Sequence, residues 1–547
     1  MRIAASISLA LLLAACQREA PPAAKEPYDA RAGADARRIE ADVRFLADDL
    51  LEGREAGTRG YDLASLYVAQ RFRALGLAPA GEDGSYYQRV PMLRGVTLAE
   101  GNALVIHRDG VSRTLAFREQ FLPATNFNAA AADIEAPAVF VGQGVYAPEL
   151  DHDDYAGVDV KGKIAVMFGG APARFDNDRR AFHSSGRTKA QELVRRGAVG
   201  LILVQTDEEQ RRHPWARIAG QWDRPAMRLR DADGKGVDTW PQLRAMAQVS
   251  AASADALLAT NGRTTPQLFK ALADGQLRAF DLPGSVRLAA RTAITPVESR
   301  NVVARLDGAG RQAEHVVFSA HLDHLGIGAP VDGGTQPQDR IYNGALDNAL
   351  GIAVMLEAAN HLAHAPAPLQ RSLLFVAVTA EEKGLLGAEW FAQHPTVRGS
   401  LVANVNMDMP MLLAPTRDVV PIGLEHSTLQ PLVQQAAKEI GVALSPDPAP
   451  QEVVFVRSDQ YAFVRAGVPA VYLDAGYSGD ARALQDAFLR QHYHQPSDDA
   501  TQPIQYADAA RLAQLNARIG QLIADAPQRP AWNAGDFFGE KFAKPSP

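Results

Sequence analysis

Hydrophobic and polar positions follow one regular pattern from residue 301 onward. Short, mostly apolar runs lie at 316–319, 373–378, 402–407 and 470–473. Amphipathic stretches lie at 348–363, 429–440 and 507–524. A continuous apolar run indicates a strand buried on both faces, whereas a 3.6-residue period indicates a helix. Their alternation predicts an α/β fold, with a mainly parallel mixed sheet sandwiched by helices.

The chain before residue 301 shows two other patterns. Apolar residues between positions 39 and 50 share one helical face, and residues 61–75 form a second amphipathic period that Gly76 ends. Between residues 92 and 294, short β-like runs predominate, with one clear helical period near residues 189–196. We interpret this middle region as a β-rich domain inserted into the α/β domain.

The first sixteen residues have the pattern of an export signal. Arg2 precedes an apolar run that ends at Cys16, and this run is shorter than the roughly 20 residues that span a bilayer. Leu13-Ala14-Ala15-Cys16 resembles the lipobox of bacterial lipoproteins, in which the cysteine is lipidated and becomes the mature N-terminus. Gln17 follows, so the resemblance implies an outer-membrane lipoprotein facing the periplasm or cell surface. An ordinary signal peptide with a chance cysteine is the alternative.

Composition narrows the functional classes. The chain has 56 Lys and Arg against 63 Asp and Glu, a net charge of −7, which gives no support to a nucleic-acid-binding surface. Cys16 is the only cysteine, so the rest of the chain has no disulfide and no thiolate ligand. Membrane contact is expected only through the lipid anchor.

A chain of 547 residues is expected to hold two or three domains. The predicted division is a signal peptide at 1–15, a lipid-anchored linker at 16–33, the first part of the α/β domain at 34–92, the inserted domain at 93–294, the main part of the α/β domain at 295–526 and a C-terminal tail at 527–547.

Candidate metal-binding and catalytic residues follow the ends of the predicted strands. His321 follows the first apolar run, Glu381 and Glu382 follow the second, and Asp408 follows the third. Ligands of open α/β sheets sit at the carboxyl ends of the strands, so these side chains are expected at one edge. Two loop residues are further candidates: Asp347, which precedes a helix, and His494, which lies before the last helix.

Each of these residues has an ordinary structural interpretation when taken alone. Asp347 could cap a helix, and a Glu-Glu pair could lie in the first turn of a helix, where the helix dipole favours acidic side chains. Together, four carboxylates at one sheet edge carry about −4, which two divalent cations would neutralise. Carboxylates with two imidazoles suit a pair of zinc ions, with cobalt or manganese as alternatives.

This order of motifs resembles the M28 family of zinc aminopeptidases. The resemblance implies that His321 and Asp408 bind one zinc ion, that Glu382 and His494 bind the other, and that Asp347 bridges them. It also implies three catalytic roles. Asp323 would hold the imidazole of His321, Glu381 would be the general base, and Tyr493 would steady the oxyanion.

The resemblance extends to the inserted region, which is similar to a protease-associated (PA) domain. The similarity is clearest at Gly142-Gln143-Gly144 and Asp153-Asp154-Tyr155. Three positions depart from the family pattern: Leu346, Leu350 and Gln460. None of them is a carried-over ligand, so they affect the expected substrate pocket and not the metal site.

The function implied is a two-zinc aminopeptidase, which hydrolyses the N-terminal residue from peptides that have a free N-terminus. Three alternatives stay open: a related zinc carboxypeptidase of the glutamate-releasing type, a single-zinc glutaminyl cyclase, and a receptor-like homologue without catalysis. A carboxypeptidase would need a basic pocket, to which Arg457 and Arg465 could contribute. A cyclase needs one metal, and a non-catalytic relative would be expected to lose ligands.

Overall fold

The computed structural model describes residues 32–260, 262–328 and 339–544. The predicted signal segment, Cys16 and nearly all of the predicted linker lie outside these ranges. Among the helices that the structure describes, none is both long and apolar enough to cross a membrane.

The secondary structure within these ranges is as follows. The α-helices span Ala32–Leu46, Arg59–Ala74, Asn177–Ser184, Gly186–Arg195, Asp207–Arg212, Trp215–Ala219, Ala254–Leu258, Thr265–Ala273, Gly351–Ala363, Leu386–Gln393, Gln430–Ile440, Gln460–Arg465, Ala481–Gln491, Tyr506–Asp525 and Phe537–Phe542. The β-strands span Ala78–Pro79, Tyr87–Thr97, Ala103–Arg108, Val111–Leu115, Phe121–Pro123, Ala131–Phe140, Tyr146–Ala147, His152–Asp153, Ile164–Phe168, Gly200–Val204, Ala226–Leu229, Ala245–Val249, Phe280–Leu306, Arg311–His321, Gly326–Ile327, Ile341–Tyr342, Arg371–Val378, Ser400–Asn406, Asp418–Ile422, Ala443–Leu444 and Ala470–Ala475.

Four parallel strands form the centre of the sheet in the C-terminal half. Their spatial order is Arg371–Val378, Arg311–His321, Ser400–Asn406 and Ala470–Ala475. Antiparallel strands flank them on both sides. Every residue of Arg371–Val378 is buried, as expected for a parallel strand covered on both faces. The predicted mixed, mainly parallel α/β sheet is therefore confirmed.

Helices cover both faces of this sheet. Val316 and Phe318 face a core shared with the helices Ala32–Leu46, Gly351–Ala363 and Tyr506–Asp525. Val317 lies on the opposite face, in a core shared with Leu386–Gln393 and Gln460–Arg465. Successive side chains of a strand point to opposite faces, so the apolar run at 316–319 serves both cores.

The middle region has a second group of strands with its own apolar cores. Ile164–Phe168 and Gly200–Val204 are parallel neighbours, and Ala245–Val249 continues this group. Their side chains form two apolar clusters distinct from those of the C-terminal half. Short helices, such as Asn177–Ser184, are more numerous here than the sequence pattern indicated.

The middle region does not stand apart as a separate sheet. The long strand Phe280–Leu306 pairs with Ala131–Phe140 through its first half and with Tyr87–Thr97 and Arg371–Val378 through its second half. One hydrogen-bonded sheet therefore continues through both halves of the molecule. No separate PA domain is evident, and the proposed boundaries near residues 93 and 294 stay a prediction, since strands run through both.

Candidate metal centre

The carboxyl ends of three neighbouring parallel strands carry the first candidate ligands. His321 is the last residue of its strand, Asp408 follows Ser400–Asn406 by two residues, and Glu382 follows Arg371–Val378 by four. The three strands are adjacent and parallel, so their carboxyl ends meet at one edge. The structure thus brings together side chains that are far apart in the sequence.

Two further candidates reach this edge from loops. Asp347 lies in the irregular turn Ala345–Leu350, ahead of the helix Gly351–Ala363. Asp498 holds this turn, because its two carboxylate oxygens accept hydrogen bonds from Leu346 N (2.9 Å) and Asp347 N (3.1 Å). His494 follows the helix Ala481–Gln491 and has a left-handed backbone, with φ 56°.

The first group of potential ligands contains His321, Asp347 and Asp408. The imidazole Nε2 of His321 lies 3.2 Å from Asp347 Oδ1 and 3.0 Å from Asp408 Oδ1. His321 and Asp347 are almost completely buried, whereas the Asp408 side chain is partly exposed.

The second group contains His324, Asp347 and Glu382. His324 Nδ1 lies 2.7 Å from Glu382 Oε1 and 3.9 Å from Asp347 Oδ2. His494 reaches the same carboxylates, with Nε2 at 3.2 Å from Asp347 Oδ2 and 3.3 Å from Glu382 Oε2. Asp347 therefore turns one oxygen to each group and is the residue that both share.

The donor set fits two divalent cations. Zinc–ligand bonds of about 2.0–2.2 Å in a tetrahedral site separate the ligand atoms by about 3.3 Å, close to most of the spacings found here. Both ring nitrogens of His324 and Oε1 of Glu382 are buried, and none of them makes a well-directed hydrogen bond among the described residues, although His324 Nδ1 and Glu382 Oε1 are 2.7 Å apart. Buried polar atoms are normally satisfied, so this convergence is the pattern expected of ligands.

The electrostatics of the centre follow from burial and crowding. Burial raises the pKa of Glu381 well above its usual value, and the neighbouring carboxylates of Glu382 and Asp408 raise it further. Burial opposes ionisation of Asp347 as well, but hydrogen bonds from His321 and His494 hold its pKa well below the usual range. Cations at the two groups would favour the ionised form of every carboxylate here.

The Asp323 side chain has a different contact from the one predicted. The prediction placed its carboxylate on the imidazole of His321, but His321 Nδ1 lies 3.1 Å from the main-chain carbonyl oxygen of Asp323 instead. The carboxylate accepts hydrogen bonds from the backbone N–H groups of Glu381 (3.1 Å) and Glu382 (3.4 Å). Asp323 therefore orients the His321 ring through its backbone and the Glu381-Glu382 turn through its side chain.

Glu381 and Tyr493 line the cavity at the centre. The Tyr493 ring stacks on the ring of His494, with the centroids 3.8 Å apart. Burial raises the pKa of the Tyr493 phenol, which keeps the hydroxyl protonated as a donor. Glu381 and Tyr493 thus lie beside the candidate ligands, and their roles as base and oxyanion donor stay predictions.

Three residues of the centre were not assigned from the sequence. His324 completes a His-x-x-His pair with His321 after the first strand, and that spacing was the available signal. Asp498 and Arg54 carry no comparable signal, because each acts on the backbone of a distant loop. Burial raises the pKa of Asp498 to about 7, and burial lowers the pKa of Arg54 to about 10.

Comparison with known proteins finds similarity to peptidases in the C-terminal half. Residues 301–519 match the model of "Peptidase family M28". A "Probable zinc metalloprotease" of Pyrenophora tritici-repentis (strain Pt-1C-BFP) is 27% identical over 270 residues, which are 43% of this chain and 59% of the relative. A protein of the same description from Pyrenophora teres f. teres (strain 0-1) is 36% identical over 118 residues, which are 21% of this chain and 23% of the relative. The chain thus spans less than two thirds of these curated relatives.

Among solved structures, the "Aminopeptidase from Aneurinibacillus sp. strain AM-1" is similar over nearly the whole chain. The superposition covers 90% of this chain and 95% of that one, with a TM-score of 0.53 and 18% sequence identity. At this level of identity the similarity concerns the fold.

Proposed function

We propose that this chain, whose residues 301–519 match the model of peptidase family M28, is a two-zinc aminopeptidase that removes N-terminal residues from peptides. The observation that supports this most strongly is the shared carboxylate of Asp347, which faces one imidazole–carboxylate group with each oxygen. A carboxylate between two ions about 3.5–4 Å apart is the arrangement of two-metal aminopeptidases. The zinc-metalloprotease description of the relatives agrees with the ion.

The side chains around the centre divide the chemistry between them. When bound, the zinc ions polarise the scissile carbonyl and make a water molecule more acidic. Glu381 takes the proton of the attacking water and passes it to the leaving amine. The Tyr493 hydroxyl donates a hydrogen bond to the oxygen on which negative charge develops. Asp323 keeps the Glu381 backbone in place.

A free substrate α-amine suits this centre better than a blocked one. With two divalent cations balancing the charge of the carboxylates of the centre, the lone pair of a free amine can bind an ion at an open position, whereas the nitrogen of a blocked, amide-linked terminus cannot. This is the reason for proposing an exopeptidase that acts at the N-terminus. Hydrolysis of an aminoacyl anilide with a free amine, compared with its N-acetylated form, separates an aminopeptidase from a carboxypeptidase or endopeptidase.

Glu381→Ala tests the proposed mechanism. The variant is expected to keep two zinc equivalents, because Glu381 belongs to neither ligand group, and to lose at least about 100-fold in kcat. Metal content is measured by elemental analysis and turnover with a leucyl anilide. Retained turnover would remove Glu381 from the role of base, and the absence of zinc from the wild-type protein would favour a non-catalytic relative.

The carboxypeptidase alternative finds less support at the basic residues that it needs. Arg465 is already paired, since its Nη2 lies 2.9 Å from Oε2 of the buried Glu389. Arg457 is 56% exposed and lies 3.8 Å from Glu452. Arg465 is therefore not free to bind a substrate carboxylate, whereas Arg457 lines the cavity at the centre with a mostly exposed guanidinium group.

We also propose that the middle region, predicted to be a PA domain, restricts access to the centre. Its Arg217 donates a hydrogen bond to the carbonyl oxygen of Tyr493 (3.2 Å), and its Arg187 binds Glu389 (2.9 Å). A cavity of about 750 Å³ lies between this region and the loop at Gly384. A rim of this kind would favour short or unfolded peptides.

The proposed location is the outer membrane, reached by export and anchored through lipid on Cys16. The lipobox-like sequence at residues 13–16 is the basis of this proposal. Incorporation of labelled fatty acid into the wild-type protein but not into Cys16→Ser would support it, whereas equal labelling would refute it.

A further inference from the structure

Of the cavities that border the candidate metal centre, one is lined by most of its residues. Its volume is about 460 Å³, and five residues of the centre form part of its wall: His321, Asp347, Glu381, Asp408 and His494. Small-molecule sites typically have volumes of about 300–1,000 Å³. The cavity therefore has room for the side chain of the residue whose peptide bond lies at the metal centre.

Part of the wall beyond the metal centre is apolar. Met409, Met411, Ile422, Tyr477 and Leu489 contribute to it. Thioether and aliphatic surfaces of this kind accommodate an unbranched methylene chain, including the stem of a lysine or arginine side chain.

The charged residues of the same wall are not balanced. Arg457 lies 3.8 Å from Glu452, and Arg482 lies 3.8 Å from Asp486, so each arginine has an acidic neighbour. Both guanidinium groups are mostly exposed, with 56% and 70% of the side chain accessible. Asp474 also lines the cavity and has no ion pair among the described residues.

Asp474 is held with one oxygen anchored and the other available. Its Oδ1 accepts hydrogen bonds from Met411 N (3.0 Å) and Ala475 N (2.7 Å), whereas no hydrogen bond to Oδ2 is found among the described residues. Asp447 lines the same cavity, and its charge acts on both Asp474 and Tyr477. Burial raises the pKa of Asp474 to about 7, and a cation beside Oδ2 would favour its ionised form. Asp447 and Asp474, for which no ion pair is found among the described residues, thus border a pocket whose wall is partly apolar.

We propose that this cavity receives the side chain of the substrate's first residue and that Asp474 makes the enzyme selective for a cationic one, lysine or arginine. The apolar wall would contact the methylene stem, and the free oxygen of Asp474 would accept a hydrogen bond from the terminal ammonium or guanidinium group. This inference rests on the proposed aminopeptidase function. The substrate class it names is peptides with an N-terminal basic residue.

The α-ammonium group of the substrate is the other cation that Asp474 could bind. The two possibilities differ in a measurable way, because norleucine has the stem of lysine without the terminal charge. If Asp474 binds the α-ammonium group, loss of its charge must weaken lysyl and norleucyl substrates equally.

The test compares lysyl and norleucyl anilides with the metal-loaded wild-type protein and with Asp474→Asn. The asparagine keeps an oxygen for the Met411 and Ala475 N–H groups but removes the charge. We expect the wild type to favour the lysyl substrate in kcat/KM. The variant should lose about 10- to 100-fold more on the lysyl than on the norleucyl substrate, as for loss of a charge-assisted hydrogen bond. Asp480→Asn, an exposed position outside the cavity wall, is the matched control.

Equal losses on both substrates, or a wild type that does not discriminate between them, would overturn the inference and leave the aminopeptidase function standing. If no anilide is cleaved, the proposed function fails, and calorimetric binding of lysine amide and norleucine amide still decides the inference. Tighter binding of lysine amide that Asp474→Asn abolishes would support it. Equal binding, or no binding of either amide, would refute it.

Discussion

At the scale of single residues, the candidate centre depends on which oxygen of each carboxylate faces which imidazole. Asp347 Oδ1 faces His321, and Asp347 Oδ2 faces His494 and, at 3.9 Å, His324. The sequence supports five ligands, but the structure adds His324 as a sixth candidate at the second group. The second ion could therefore be bound by the imidazole of His324 or by that of His494.

His324→Ala is expected to weaken one ion and spare the other. His324 is fully buried and close to Glu382, whereas the first group of His321 and Asp408 does not involve it. Titration with a chelator, followed by elemental analysis, should show one zinc equivalent lost at least about tenfold more readily than in the wild type. The exposed His364→Ala is the control. Unchanged retention of both ions would assign the second site to His494 without His324.

At the scale of secondary-structure elements, Arg54 connects the segments that carry the ligands. Its guanidinium group is buried and donates to four carbonyl oxygens: Leu322 (2.9 Å), Asn343 (2.5 Å), Gly344 (3.1 Å) and Leu46. These carbonyls belong to the end of the first helix, the loop after His321 and the loop before Asp347. One side chain thus ties together two ligand loops and a helix.

Arg54→Met is expected to destabilise the fold by at least about 3 kcal/mol, because each buried carbonyl left without a partner costs about 1–3 kcal/mol. Arg300→Met removes a partly exposed pair with Asp62 and should cost no more than about 1 kcal/mol. Chemical denaturation measures the free energy of unfolding of both variants. Similar losses for the two would show that Arg54 contributes no more than a surface ion pair.

Sequence patterns predicted the long helices and buried strands but missed short helices of the middle region. The apolar run at 373–378 lies within the strand Arg371–Val378, and the period at 61–75 corresponds to the helix Arg59–Ala74. Both patterns arise because buried side chains recur along the sequence with the period of the helix or strand. Helices of the middle region, such as Trp215–Ala219, were missed because they are short and lie in polar sequence.

At the scale of the whole molecule, the middle region is joined to the C-terminal half by strands and by ion pairs. Arg187 lies 2.5 Å from Asp238 within its own region and 2.9 Å from Glu389 across the cavity. Glu389 also binds Arg465, so the three groups form a network at the rim. Such a network limits how far the two halves can separate.

Arg187→Met is expected to relax the size preference of the enzyme. Loss of the pair with Glu389 should raise kcat/KM for a long peptide relative to an aminoacyl anilide, by up to about fivefold, the effect of a partly exposed ion pair. Arg195→Met removes an exposed pair within the middle region and is the control. A constant ratio of the two substrates in all three proteins would count against a restricting rim.

The sequence by itself determined the strands, the main helices and the set of acidic and imidazole side chains at the strand ends. These features depend on local periodicity and on the rule that parallel strands present their carboxyl ends at one edge. The tertiary structure alone decided that Asp347 is shared, that His324 joins the second group, and that the backbone of Asp323 contacts His321. The positions of Asp498, Arg54 and Asp474 were decided in the same way. Such contacts join residues from distant loops, whose meeting depends on the packing of the whole chain.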